Sequence, residues 1–333
     1  MNLNNPMSFL LRTYCATYNH ESYIADALKG FVMQQTSFPV VYTIVDDAST
    51  DKTPEILRCF VEENFDLNNT SVGYDEDMDY GHVTFARHKT NENCYFAVIY
   101  LKENHYSQKK SKAPYLTEWM DTKYVALCEG DDYWTDSTKL QKQVDFLDGH
   151  SEYSMCFHAA TILNECGAKV CTDCSNVYER DYTANDVFVS WIIPTASVVY
   201  RRESVDSFQV KHGSWFVYGD IVLFEKCAHV GKVRGFSKTM SVYRMNANSM
   251  VQNSKYIDDK LQKMPFHFRA LKLNFDHIDK KTVREKITDS YYAKMRNDKR
   301  FVDRIADFCC FVGYSPFHAI SKILMKINII HKH

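Results

Sequence analysis

The sequence predicts an α/β fold built on a mostly parallel central sheet. Three observations carry that prediction. Continuous apolar runs too short for a helix, such as residues 40–45, have the character of strands buried on both faces. Helical periodicities alternate with these runs, giving strand, helix, strand, helix within about 60 residues, the pattern of a βαβ unit. Two of the runs stop on paired carboxylates, Asp46-Asp47 and Asp131-Asp132.

The elements follow in order. Residues 9–16 read as a strand. Residues 21–35 read as a helix, because Ile24, Ala27, Leu28, Phe31 and Val32 recur at helical spacing. After the strand at 40–45, residues 53–64 form a helix with Pro54 in its first turn. The polar stretch 66–92 reads as an insertion with little regular structure. A strand is expected at 95–101, a short helix at 115–120 and a strand at 123–128 that runs into Glu129-Gly130-Asp131-Asp132. Residues 137–147 place Leu140, Val144 and Leu147 on one helical face. Strands at 154–163, 196–200 and 240–244 and a helix at 220–229 complete the α/β part. Beyond 251 the chain becomes helical and basic.

Bulk properties narrow the function. The 333 residues are 45% hydrophobic and 25% charged, as in an ordinary globular protein with a sizeable core. A formal net charge of -2 gives no global field toward nucleic acid. The abundant Tyr (22) and Phe (21) suit aromatic-lined pockets and an aromatic core equally. An odd count of 11 cysteines, with no secretory signal at the start, favours a reducing, cytoplasmic setting over a disulfide framework. No stretch reaches the ~18 apolar residues of a membrane span.

In open α/β sheets, ligands bind beyond the carboxyl ends of the strands. Carboxylates gathered there can hold a hard cation, Mg²⁺ or Mn²⁺, which in turn clamps a diphosphate. One carboxylate of the first pair can instead bond a ribose or base. Taken alone, each acidic pair is also an ordinary helix or turn cap.

The ordered set of motifs is more specific. Thr13-Tyr14-Cys15-Ala16-Thr17-Tyr18-Asn19, Gln34-Gln35-Thr36 and Val45-Asp46-Asp47-Ala48-Ser49-Thr50-Asp51-Lys52-Thr53 precede Cys128-Glu129-Gly130-Asp131-Asp132-Tyr133-Trp134 and Lys139-Leu140-Gln141-Lys142-Gln143. Over residues 8 to about 250 this series resembles family 2 glycosyltransferases. The resemblance implies an A-type glycosyltransferase fold, with a catalytic domain over 1–250 and a helical C-terminal extension over 251–333. Within the catalytic domain, the nucleotide-binding half would cover about 8–135 and the acceptor half about 136–250.

By that resemblance, Ala16 and Tyr18 line the nucleobase pocket and Asp47 bonds the base or ribose. Asp131 and Asp132 divide contact with the donor and ligation of Mn²⁺ or Mg²⁺ between them. Glu129 stands where Asp is more usual, and Tyr133 and Trp134 either flank the donor sugar or pack. Asp220, after Gly219 at a helix start, matches the family's general base. A helix N-terminus is expected to lower its pKa. Pro194-Thr195-Ala196-Ser197 borders the acceptor site. Val242-Tyr243-Arg244-Met245-Asn246, with Asn248-Ser249, matches a late family segment in which Arg244 holds the diphosphate, a surface ion pair being the alternative. The implied activity is transfer of a sugar, with inversion, from a nucleotide-sugar donor (UDP by family default) to a glycan or lipid-linked acceptor. Polysaccharide assembly at the cell surface is the expected setting.

Other readings compete. A nucleotidyltransferase would want a Gly-rich basic loop after the first strand, where this chain has Thr17-Tyr18-Asn19-His20. A catalytically inactive nucleotide-sugar-binding scaffold or sensor would keep the acidic pairs and lose the base. Cys166, Cys171 and Cys174 with His158 offer a weak zinc constellation. From Lys294 onward, basic residues interleave with Phe301, Ile305, Phe308, Phe311, Ile320, Ile323, Leu324 and Ile327. That pattern fits a peripheral helix at the inner face of a membrane or a helix packed on the catalytic domain.

Overall fold

The computed structural model describes residues 8–70, 72–165, 171–189, 192–246, 254–297 and 301–330. Side chains at 171, 254–257, 301 and 325–330 are outside that description. The chain divides into two compact units.

The first unit, from residues 8–182, 192–206 and 230–245, holds one twelve-stranded mixed sheet. Its centre is parallel. β1 (Leu11–Thr17) pairs with β2 (Val40–Asp46) on one side and with β6 (Tyr124–Leu127) on the other, and β2 pairs with β5 (Cys94–Leu101). Every residue of β2, β5 and β6 is buried, which is why these strands are apolar runs without alternation. Helix α1 (Ile24–Val32) buries Ile24, Ala27, Leu28 and Phe31, one face at i, i+3, i+4 and i+7. Its Phe31 stacks on Tyr42 and meets Trp134 edge-on. Full burial of one such side chain contributes about 1.5–3 kcal/mol. Helix α2 (Thr53–Asn64) follows β2, with Pro54 in its first turn.

The stretch 66–92 corrects the expectation of an irregular insertion. It contains a hairpin, β3 (Tyr74–Met78) and β4 (Gly81–Arg87), which extends the sheet antiparallel to β5. Val83 and Phe85 alternate into the core, while Asp75 and Asp77 of β3 have cross-strand partners. His82 Nε2 lies 2.9 Å from Asp75 Oδ1, His82 Nδ1 lies 2.9 Å from Asp77 Oδ1, and Thr84 donates to Asp75 at 2.5 Å. The acidic composition hides a strand because these side chains face solvent and, among the described residues, only Asp75 and Asp77 bond across the ladder.

The sheet continues through β7 (Tyr133–Trp134), β8 (Tyr153–Asn164), β9 (Cys171–Cys174), β10 (Arg180–Tyr182), β11 (Val199–Arg201) and β12 (Lys232–Met245). Helices α3 (Lys139–Gly149) and α5 (Glu203–Asp206) belong to the same unit. The strand expected at 240–244 is the end of the longer β12, whose pairing with β8 shifts register between Phe236 and Ser241.

The second unit is helical. It contains α4 (Ala184–Val189), α6 (Gly219–Val230), α7 (Ser254–Asn274), α8 (Lys280–Asn297), α9 (Phe301–Tyr314) and α10 (Pro316–Ile330). Phe188, Ile221, Leu271, Phe275, Ile287 and Phe311 share its core. Segment 207–229, which carries Asp220, therefore groups with the C-terminal helices rather than with the sheet.

Candidate active site

The carboxyl end of β1 brings the two acidic motifs together. The backbone N–H of Asp47 donates to Thr17 O at 2.9 Å, and that of Gly130 donates to Ala16 O at 3.0 Å. Asp47 and Asp131 thus lie on either side of adjacent β1 residues, at one rim of the sheet. Gly130 makes the approach possible: a Cβ there would stand 2.7 Å from Thr17 Cβ and 2.9 Å from His20 Nδ1.

Beyond β6, Glu129, Asp131 and Asp132 each offer a carboxylate oxygen, and these lie within 4.8 Å of one another. Asp132 is buried at 1% exposure. Its Oδ1 accepts the backbone N–H of Arg244 at 2.8 Å, while buried Oδ2 has no hydrogen-bond partner among the described residues. Burial, reinforced by the Asp131 charge, pushes the Asp132 carboxyl well above the usual carboxylate range. Three clustered carboxylates, one of them with a buried oxygen that no described residue bonds, are hard oxygen donors of the kind a divalent cation takes. The residues therefore fit Mn²⁺ or Mg²⁺, with Glu129 joining the two expected ligands. His20 Nε2 lies 3.9 Å from Asp131 Oδ2, and burial lowers the His20 pKa against the pull of that carboxylate.

Arg244 reaches the motif through strand pairing. β7 and β12 are antiparallel, with Val242 opposite Tyr133, so two residues further along β12 Arg244 stands beside Asp131. Its Nη1 donates to Asp131 O at 2.7 Å and its Nη2 to Asp26 Oδ2 at 3.2 Å, while the guanidinium lies over the rings of Tyr23 and Tyr133. The side chain is 6% exposed and also pairs with the partly exposed carboxylates of Asp26 and Glu165, so it is a buried guanidinium tied to the rim by ion pairs.

Asp47 is equally committed. Oδ1 accepts from His105 N at 2.8 Å, Oδ2 accepts from Tyr106 N at 3.0 Å, and Lys112 Nζ lies 2.9 Å from Oδ2. Its carboxylate organises the 104–112 loop, a tie with no signature in sequence. Neighbouring Asp46 bonds the Ser49 hydroxyl and backbone N–H. Ala48 and Asn19 adopt positive φ of 60° and 54° in facing loops. These loops interlock: Asn19 N donates to Ser49 Oγ, Thr50 N to Asn19 Oδ1, Glu21 N to Asp51 Oδ2 and Lys52 N to Glu21 Oε2. Ala16 is half-buried in β1, and Tyr18 is 44% exposed at the lip beyond it.

The remaining motif residues build the support. Trp134 is buried and donates Nε1–H to Ala196 O at 2.8 Å, which makes its role packing rather than contact with a sugar. Gln34 donates to Gly30 O and Asp136 O and accepts from Leu140 N, joining α1 to the start of α3. Gln143 donates to Ser197 O at 2.9 Å. Residues 194–197 are thus tied to the core through Ala196 and Ser197. Lys139 is wholly buried, with Nζ 4.2 Å from the Trp134 ring centroid, and burial lowers its pKa to about 7.

In the second unit, Asp220 begins α6 and accepts from Ile221 N at 2.9 Å. Its pKa is raised by burial, which outweighs the hydrogen bond from Ile221. This reverses the expectation drawn from the helix N-terminus alone. Asn248 and Ser249 lie outside the described residues, as do Cys166 and the side chain of Cys171. Of the other proposed zinc ligands, Cys174 is exposed and free, and His158 is wholly buried with Nδ1 2.8 Å from Ala159 O.

Comparison with known proteins identifies the family and the fold. The model of glycosyl transferase family 2 matches residues 15–208. Uncharacterised proteins of Mycobacterium tuberculosis and Mycobacterium bovis are each 33% identical over 250 residues, covering 73% of this chain and 60% of theirs. The chain spans about 60% of the length of these curated relatives. The structure of S. aureus TarS 1-349 in complex with UDP aligns with a TM-score of 0.55 at 14% identity, covering 94% of this chain and 82% of that one. A longer structure of S. aureus TarS gives 0.52 at 16% identity, covering 94% and 50%. The mixed sheet with its parallel centre and flanking helices is the A-type glycosyltransferase fold, and the chain belongs to glycosyl transferase family 2.

Proposed function

We propose that the protein transfers a sugar from a nucleotide-sugar donor to an acceptor hydroxyl, with inversion, and that Glu129, Asp131 and Asp132 hold Mn²⁺ or Mg²⁺. The observation that carries this reading is the buried, unpartnered Oδ2 of Asp132 within a three-carboxylate cluster beside the end of β1. A bound divalent cation supplies positive charge that stabilises the departing nucleoside diphosphate. Ala16, Tyr18 and the loop held by Asp47 line the nucleoside pocket. Arg244 fixes the Asp131-Asp132 turn and adds positive charge beside the diphosphate. UDP is the donor nucleotide to test first, since the similar TarS structure contains it.

Asp220 takes the proton from the acceptor hydroxyl. Its upward-shifted pKa brings it nearer the operating pH, which favours a general base. The exposed faces of α9 and α10, with Val302, Ile305, Phe308, Phe317, Ile320 and Leu324, support contact with a membrane carrying a lipid-linked acceptor in polysaccharide assembly. Among the described residues no helix is long and apolar enough to cross a membrane.

The test is a nucleotide-sugar screen with Mn²⁺, reading nucleoside diphosphate release with and without acceptor extract. Activity should fall on chelation and drop on the order of 10²–10⁴-fold in Asp220→Ala. Release that survives chelation and Asp132→Ala alike would refute the metal assignment. Undiminished transfer by Asp220→Ala would remove that residue from the role.

A further inference from the structure

A second cluster of ligating groups lies in the helical unit. Glu225 and His229 are four residues apart on one face of α6. The turn between α7 and α8 brings Asp276 and His277 against them. Ligand atoms of His229, Asp276 and His277 all fall within 4.8 Å of one another. The Nδ1 atoms of the two histidines face each other at 2.9 Å. His277 presents Nε2 to Glu225 Oε2 at 3.3 Å.

These contacts fix the orientation of the His277 ring. Glu225 is wholly buried, and its other oxygen has no hydrogen-bond partner among the described residues. Its Oε2 engages Nε2 of His277, which turns the Nδ1 edge of that ring toward His229. An imidazole ligand whose second nitrogen donates to a carboxylate is the usual arrangement around a bound transition metal. Tetrahedral zinc with Zn–N of about 2.0–2.1 Å separates neighbouring ligand nitrogens by about 3.4 Å. The histidine Nδ1 atoms, at 2.9 Å, would have to separate by about half an ångström to reach that spacing. Aromatic rings hold them in place: Phe208 packs edge-on against His229, and Phe275 packs against His277.

We propose that His229, His277 and Asp276 form a zinc site, with Glu225 orienting His277 and the fourth position open to water. Two imidazoles and one carboxylate favour Zn²⁺ over the oxygen-bound Mn²⁺ of the acidic motif. The site ties the last turn of α6 to the α7–α8 turn and so anchors the helix whose first turn carries Asp220.

The experiment uses the full chain after chelation, with Zn²⁺ titrated against a chromophoric chelator and Co²⁺ as a spectroscopic probe. Asp131→Asn/Asp132→Asn, which lacks the acidic-motif site, should bind one Zn²⁺ equivalent and show tetrahedral Co²⁺ bands, and wild type should bind at least that one. His229→Gln should bind at least ~10-fold more weakly, and Glu225→Gln ~10- to 100-fold more weakly. His229 is exposed, so its variant should keep the metal-free melting temperature and lose only the rise that Zn²⁺ produces. An isotherm for His229→Gln that matches wild type would overturn the proposal, as would loss of the Zn²⁺ equivalent in the acidic-motif variant. A bare hydrogen bond between the two rings would show as no Zn²⁺-dependent rise in melting temperature in Asp131→Asn/Asp132→Asn.

Discussion

The backbone N–H of Arg244 donates to Oδ1 of Asp132 across 112 positions of sequence. One oxygen of a buried carboxylate is thereby fixed by the protein while the other is left open. The β7–β12 pairing creates this relationship, and it makes the acidic turn a preformed ligand instead of a flexible loop.

Asp132→Asn separates stability from function. The wild-type carboxyl has its pKa raised by burial and by Asp131, so the native state holds a proton over a pH range where the unfolded chain has released it. Stability therefore falls as pH rises through that range. Asparagine removes the penalty. The metal-free variant should melt at or above the wild-type temperature near neutral pH, while sugar transfer drops by on the order of 10²-fold or more. Calorimetry beside a transfer assay checks both halves.

Gly130→Ala should damage the site without touching a ligand. The new Cβ meets Thr17 at 2.7 Å and His20 at 2.9 Å, and β1 cannot retreat because β2 and β6 flank it. A loss of about 1–3 kcal/mol in denaturant unfolding is expected. Displacement of the acidic turn by about 1 Å should cost on the order of 10²-fold in turnover.

Asp47→Ala should release the 104–112 loop. It strands two backbone N–H groups and leaves Lys112, 14% exposed, without its carboxylate. Breaking such a buried pair costs about 3 kcal/mol or more. Limited proteolysis at Lys109-Lys110 should accelerate relative to wild type, and donor KM should rise.

Lys139→Met should stabilise the protein most near neutral pH. The folded-state pKa is lowered from 10.5 to about 7, so above pH 7 the unfolded chain binds a proton that the native state does not. The cost of burying the ammonium is complete below pH 7 and is relieved as pH rises toward 10.5. The gain in melting temperature of Lys139→Met over wild type should accordingly shrink between pH 7 and pH 9. A constant gain across that range would show that the amine is not desolvated.

Much of this protein was legible in one dimension. The parallel strands at 40–45 and 95–101 announce themselves because both faces are buried, and α1 because its apolar residues keep a 3.6-residue period. The acidic residues at the strand ends were legible for the same reason: a change from wholly apolar to charged marks where a buried strand meets the rim. The hairpin at 74–87 was hidden, since its outer strand is acidic and solvent-facing and its cross-strand partners, His82 and Thr84, are visible only once the ladder is formed. So were the ties from Asp47 to His105 and from Arg244 to Asp132, and the upward shift at Asp220, where burial overrides the local field of the helix terminus. Local periodicity determined which segments would be strands and helices and which carboxylates would reach the rim. Tertiary packing alone decided which of those carboxylates keep an unpaired oxygen, because desolvation and hydrogen bonding depend on residues distant in the chain.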